Sequence, residues 1–295
     1  MDEVLINGWR RLAVRRWGDL GGYPVFLLHG TPGSRFSARP SEAELSRLGV
    51  CLITYDRPGY GLSDPHPGRS VAHAAYDVRA IADVFGFPKF AVLGRSGGGP
   101  HALACAALLP DRVSRVASLV GLAPYSAPGL DWLSGMVESN RRQYGAAVRG
   151  PAELRRMLYP QVVAMRDNPE HFARQLAASA TEEDRAVLDD PEYHSKLVAS
   201  MSEAIDRSLD GWAADNLAFT RPWGFEPHWI CVPTLLWHGV WDVFSPVAHA
   251  RWLAERIRGA ILLLSERGTH LNAAGVQYNA IEWLLSGALS DRLRI

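Results

Sequence analysis

The run Gly94-Arg95-Ser96-Gly97-Gly98 is the segment best able to do chemistry. It is a G-x-S-x-G pattern with a short apolar β-type stretch before it, residues 90–93, and a helix-forming stretch, HALACAALL, after it. A serine on so sharp a strand-to-helix turn is held in a strained backbone conformation that presents its hydroxyl outward, and small neighbours are needed where strand and helix nearly collide. The chemistry this suits is nucleophilic attack on a carbonyl. The free amide of Gly97, at the start of the helix, then points at the anion that forms. A phosphate-binding loop is the rival reading, because Gly97, Gly99 and Ala102 loosely fit G-x-G-x-x-A. The acid that such a loop needs about 20 positions on is missing: the next strand ends Val120-Gly121-Leu122. No Gly-Lys-Ser/Thr follows either, so the nucleophile reading is preferred.

A serine hydroxyl needs a base to take its proton and a carboxylate to orient that base. On a strand-turn-helix serine these follow in the order Ser, acid, His. Asp242 lies in the loop after the apolar stretch 234–237, and His270 in the loop after the stretch 261–264. Both therefore sit past the C-terminal ends of strands, where an open parallel sheet places its ligands. His73, His101, His171, His194 and His228 fall on helical patterns and read as structural, and His238 as part of a turn. His238, Asp242 and His270 have no recognisable ligand spacing, so no metal is expected. The second amide facing the anion is expected from Thr31, because Pro32 has no N–H and Gly33 supplies the turn.

The elements that must position these groups alternate. Residues 25–28, 50–55, 90–93 and 116–122 are apolar blocks bounded by Gly, Pro or Asp, as buried parallel strands should be. Between them Val71, Ala74, Val78, Ile81 and Phe85 recur at helical spacing, with Ser70 before as a cap and Gly86 after. The fold class is therefore α/β, a mostly parallel sheet with helices on both faces. From about residue 125 to 228 the pattern turns helical and is broken by Pro151, Pro160, Pro169, Pro191 and Pro222. Strands at 234–237 and 261–264 and a helix over about 271–285 then resume the core. This divides the chain into a core over 1–124, a helical insertion over 125–228 and the rest of the core over 229–295.

Composition narrows the function. The chain has 295 residues, of which 31 are Lys or Arg and 31 are Asp or Glu, so it lacks the basic surplus that phosphate backbones require. A hydrophobic content of 47% with 21% charged residues excludes a disordered chain. The first residues, MDEVLINGWRR, hold two acids and no apolar stretch long enough for a signal peptide, and no apolar run of about 18 residues occurs, so a cytoplasmic, membrane-free protein is expected. Cys51, Cys105 and Cys231 stand apart in apolar runs and read as buried free thiols.

Jointly, the HGTPG of residues 29–33, the DRPGYGLSD of 56–64, the GRSGG of 94–98, the Asp242 loop and the GTH of 268–270 resemble the α/β-hydrolase superfamily. The likeness is to its capped branch, and it spans nearly the whole chain. It implies a helical cap over the sheet's C-terminal edge and a catalytic triad of Ser96, Asp242 and His270, with the amides of Thr31 and Gly97 as oxyanion hole. It needs no cofactor. Trp132, Trp212, Trp223 and Trp241 are candidates to line an apolar acyl pocket. Dehalogenases and epoxide hydrolases of this branch carry aspartate where this chain has Ser96, which sets both activities aside. HGTPG also departs from the HGGPG of iminopeptidases, and Arg95 has no assigned role. The expected function is cleavage of a small carboxylic ester by a monomer or homodimer acting on a small-molecule substrate. An amidase or iminopeptidase, a C–C bond hydrolase and a non-catalytic receptor are the alternatives. Glu203 and Asp215, acids of the insertion, read as a solvated face.

Overall fold

The computed structural model describes residues 2–6, 8 and 10–293. Among these, eight strands form one sheet in the order β1-β2-β4-β3-β5-β6-β7-β8. They are β1 (Asp2–Ile6), β2 (Arg10–Gly18), β3 (Tyr23–Leu28), β4 (Val50–Tyr55), β5 (Phe90–Arg95), β6 (Val113–Leu119), β7 (Thr234–Gly239) and β8 (Ile261–Ser265). The pairings β1 with β2 and β2 with β4 are antiparallel, and every other pairing is parallel.

Side chains alternate across this sheet with the period of two that a strand imposes. Leu28, Ile53 and Val92 face one way, toward α2 (His73–Val84), α3 (Gly98–Leu108) and α10 (Ala248–Ala254). Leu27, Leu52 and Leu93 face the other way, toward α1 (Glu42–Arg47) and α11 (Gln277–Ser286). Each such fully buried side chain is worth about 1.5–3 kcal/mol, so both faces must be covered. That is why the strands read as unbroken apolar blocks.

Between β6 and β7 run α4 (Glu138–Arg149), α5 (Pro151–Asp167), α6 (Glu170–Ser179), α7 (Glu182–Leu188), α8 (Pro191–Ile205) and α9 (Asp210–Phe219). Leu154, Leu158 and Val162 of α5 and Leu197 and Met201 of α8, each four apart, build a separate apolar cluster that closes on Tyr60, Phe244 and Leu271. Pro151 and Pro191 begin helices, where a missing N–H costs nothing. Pro160, read from sequence as a break, lies inside α5.

Other departures have local causes. β1 and β2 are not among the strands expected from sequence; on β2 Arg10 turns inward and pairs with Asp77 at 2.6 Å, both side chains buried, which spoils the apolar alternation there. β6 starts earlier and stops at Leu119, because Val120 takes a left-handed φ of 47°. Ser70 does not cap α2, which begins at His73 without a side-chain cap, and the serine hydroxyl meets His73 Nδ1 instead. Residues 271–285 split into a short 3₁₀ turn, Leu271–Ala274, and α11. Cys231 is exposed, whereas Cys51 and Cys105 are buried.

Candidate active site

Ser96 follows β5 directly, and the chain must reverse into α3 within a few residues. Two glycines allow it. A Cβ on Gly94 would lie 2.2 Å from Gly98 O, and one on Gly98 would lie 2.0 Å from Leu28 O. Both obstacles are backbone and cannot move aside. Ser96 itself holds a φ of 54°, a left-handed conformation that costs a non-glycine residue of order 1–3 kcal/mol. Its amide donates to Leu119 O at 2.8 Å, and its carbonyl accepts from the Gly99 amide at 2.8 Å, which pins the turn.

Three loops from three strand ends converge there. His270 Nε2 is 3.0 Å from Ser96 Oγ, and His270 Nδ1 is 2.7 Å from Asp242 Oδ2. The other oxygen of Asp242 accepts the amides of Phe244 and Ser245, each at 2.8 Å. Burial would raise the Asp242 carboxyl; the charge of His270 and hydrogen bonds from His238 and His270 outweigh it and hold the group well below the usual carboxylate range. His238 is therefore more than a turn element. It is buried on β7 with Nε2 3.3 Å from Asp242 Oδ2 and also bonded to Ser245 O. Asp56 and Asp64, the other acids near a strand end, are engaged by Arg35 and Arg11 instead of by His270.

Thr31 and Gly97 face each other across the turn, for a Cβ on Gly97 would meet Thr31 Oγ1 at 2.2 Å. Among the described residues, neither amide donates to a turn or loop carbonyl. Thr31 is held from behind by Asp215 of α9. Asp215 Oδ2 accepts from Thr31 Oγ1 at 2.6 Å, Arg57 Nη2 at 2.5 Å and Tyr60 OH at 2.9 Å, while Oδ1 accepts from Arg69 Nη2 at 2.6 Å and lies 3.3 Å from His101 Nε2. Arg57 also donates to the carbonyls of His29 and Gly30 in the same loop.

Asp215 is fully buried, which corrects its reading as part of a solvated face. Burial pushes its carboxyl up, but Arg57 and Arg69 together drive it well below the ordinary value. His101 is held down to about 4 by burial and is neutral at pH 7, so two guanidinium groups stand against one carboxylate and leave a positive excess behind the Thr31 loop. Glu203 is likewise committed, to Arg35 at 2.6 Å. Removing one partner from a buried ion cluster of this kind costs about 3–5 kcal/mol.

Ser96, His270, Thr31 and Gly97 open on a cavity of about 540 Å³ between the sheet edge and the insertion helices. Trp212 lines it, but Trp132, Trp223 and Trp241 do not. Trp132 is buried, with its indole N–H on Ala123 O and its ring against Tyr144 and His249. Trp223 stacks near Phe225 beside a separate, smaller cavity, and Trp241 is exposed at the turn before Asp242. The apolar wall comes instead from Met157, Leu176, Tyr193, Leu197 and Met201. These occupy ordinary helical-stripe positions, so sequence offered no signal separating them from core. Among the described residues no group of three or more His, Cys, Asp or Glu is placed to hold a metal ion, and no helix is long and apolar enough to cross a membrane.

The family model of the α/β-hydrolase fold matches residues 23–270, and the chain belongs to that family. Over 155 residues it is 31% identical to epoxide hydrolase B of Mycobacterium tuberculosis, a match covering 50% of this chain and 42% of that protein. The chain thus spans less than half of that relative. It is 28% identical to the pimeloyl-[acyl-carrier protein] methyl ester esterase of Chromobacterium violaceum, covering 84% of this chain and 87% of the other. Among solved structures, a thermophilic esterase from Thermogutta terrifontis superposes with a TM-score of 0.67 at 22% identity, covering 100% of this chain and 99% of that one, and so shares the fold. The family and its hydrolase-named relatives support a hydrolytic enzyme.

Proposed function

We propose that this enzyme is a serine hydrolase that cleaves a small carboxylic ester through an acyl-enzyme on Ser96. The observation that carries the reading is the continuous chain from Asp242 through His270 to Ser96 Oγ, at 2.7 and 3.0 Å, opening on a cavity. In this mechanism His270 Nε2 takes the Ser96 proton as Oγ attacks the carbonyl carbon. Asp242 holds the imidazole in the tautomer that can accept it. The amides of Thr31 and Gly97 receive the oxyanion, aided by the positive excess behind Thr31. His270 returns the proton to the departing alkoxide, and a water then repeats the cycle on the acyl group. In this reading the helices of residues 125–228 form a cap that shapes the acyl pocket, and the protein acts in the cytoplasm on a small molecule.

The reading favours esters over substrates with a free amino terminus. A cationic amine needs a carboxylate facing it, and the acids Glu203 and Asp215 are bound to Arg35 and to Arg57 and Arg69. Amides also demand full protonation of the leaving amine. A short-chain p-nitrophenyl ester is expected to exceed a prolyl arylamide in kcat/KM by about 100-fold or more. Preference for the prolyl arylamide under the same conditions would replace the esterase by a peptidase.

A further inference from the structure

The cavity above Ser96 has a polar wall as well as an apolar one: beside the methionines, leucines and tyrosine already named stand the neutral side-chain amides of Asn140 and Gln143 on α4 and Gln161 on α5. Their partners fix which way each amide points, because only an NH₂ can face a carbonyl oxygen. Asn140 Nδ2 donates to Phe244 O at 2.9 Å and Gln161 Nε2 to Met157 O at 3.4 Å. Asn216 Nδ2 donates to Trp212 O at 2.8 Å, which turns its oxygen toward Gln143 and leaves Gln143 Nε2 donating to it at 2.7 Å. In all three the nitrogen is committed to the protein and the carbonyl oxygen is left over. Among the described residues nothing donates to those oxygens, and none of them is sealed from solvent, although the residues are half-buried and line the cavity. The wall therefore offers acceptors to whatever fills the cavity. No aspartate or glutamate lines it, and the positive excess behind Thr31 opposes a cation, so the matching donors are uncharged. A polyhydroxy alcohol meets several acceptors at once, with a hydroxyl on successive carbons, where an amide brings a single N–H.

We infer that the natural substrate is an acyl ester of a polyhydroxy alcohol, whose free hydroxyls donate to Asn140 Oδ1, Gln143 Oε1 and Gln161 Oε1 while the acyl chain lies on the apolar wall. The alcohol falls on the polar side because of how it must leave. His270 hands its proton to the departing oxygen, and Phe244, whose carbonyl anchors Asn140, packs its ring 5.4 Å from the His270 ring. Asn140 and Gln143 lie three apart on one face of α4, so they address neighbouring hydroxyls. A volume of about 540 Å³ has room for the alcohol and a short acyl chain together. The three amides are then specificity residues for the leaving group. The inference rests on the ester-hydrolase reading, and its test separates the two.

The kcat/KM values of glycerol 1-monobutyrate and 6-O-butyrylglucose are compared with that of propyl butyrate, which has the same acyl chain and the glycerol ester's carbon skeleton but no free hydroxyl. At least one polyol ester should be preferred about tenfold or more, the worth of one or two neutral hydrogen bonds. The better of the two shows whether the alcohol is glycerol-like or sugar-like. In Gln143→Met and Gln161→Met, which keep the side-chain length without the amide and are each checked for an unchanged melting temperature, the preference should fall about threefold or more, and in the double variant to near one. Gln161→Met removes only a bond within its own helix, so it stays readable if loss of the Asn216 contact destabilises Gln143→Met. Propyl butyrate turned over as fast as both polyol esters leaves the esterase reading standing and overturns the polyol site. A preference that folded variants do not lower overturns it too, as does a preference for butyrylcholine over both polyol esters, since the acceptors would then serve a cation. If the wild type hydrolyses none of these esters, glycerol 1-monobutyrate and propyl butyrate are titrated into it by calorimetry. Tighter binding of the glycerol ester then leaves the site standing and fails the esterase reading, and equal binding fails both.

Discussion

Ser96→Ala should lower kcat/KM on any ester this enzyme hydrolyses by about 10⁴-fold or more, equivalent to about 5.4 kcal/mol of transition-state stabilisation. The loss is large because nucleophile, base and acid act as a unit; once Oγ is gone, His270 has no proton to take. What remains is the oxyanion site and the cavity, which can still polarise a carbonyl for a poorly placed water. Stability should barely change. The side chain of Ser96 bonds to His270, and the turn is held by backbone contacts to Leu119 O and the Gly99 amide that alanine retains. Activity assays should therefore be paired with thermal melts. A folded variant that keeps a tenth of wild-type activity removes Ser96 from the nucleophile's role.

Asp242→Asn should reduce turnover by a similar factor of about 10⁴, for a different reason. The substituted side chain would keep one oxygen for the amides of Phe244 and Ser245, both at 2.8 Å in the native site, so the loop should hold its shape. Its new amide group, however, would donate to His270 Nδ1. That forces the ring proton onto Nε2, where it points at Ser96 and leaves no lone pair to accept the serine's own proton. The contact with His238 Nε2 would turn from attraction to competition between two donors. A steady-state rate within tenfold of wild type, with the fold intact, would place the orienting acid elsewhere.

What could be read from the sequence depends on how local its cause was. The strands at residues 50–55 and 90–93 announced themselves because burial on both faces leaves no room for polar side chains. The serine turn was visible because its geometry demands glycine at positions fixed in sequence, and Asp242 and His270 because each closely follows an apolar strand. The support of Thr31 was not visible. Asp215 meets Arg57 and Arg69 from 158 and 146 residues away, and no local pattern encodes that meeting. One hint existed: α9 is DGWAADNLAF, with no lysine or arginine to make a solvated face, so an acid at its centre had to find its cation elsewhere. The aromatic lining failed for the opposite reason. Residue type alone nominated Trp132, Trp223 and Trp241, while the insertion helices turned methionine, leucine and tyrosine toward the cavity.

The covalent intermediate is the most direct object to seek. During turnover of p-nitrophenyl acetate, acid quenching followed by peptide mass mapping should find one acetyl group on the peptide that carries Ser96, at an occupancy that depends on substrate concentration. The same treatment of Ser96→Ala should leave that peptide unmodified. Continued hydrolysis of the ester with no acetyl group on Ser96 at any quench time, or with the group on another residue of an active Ser96→Ala variant, would contradict an acyl-enzyme on Ser96.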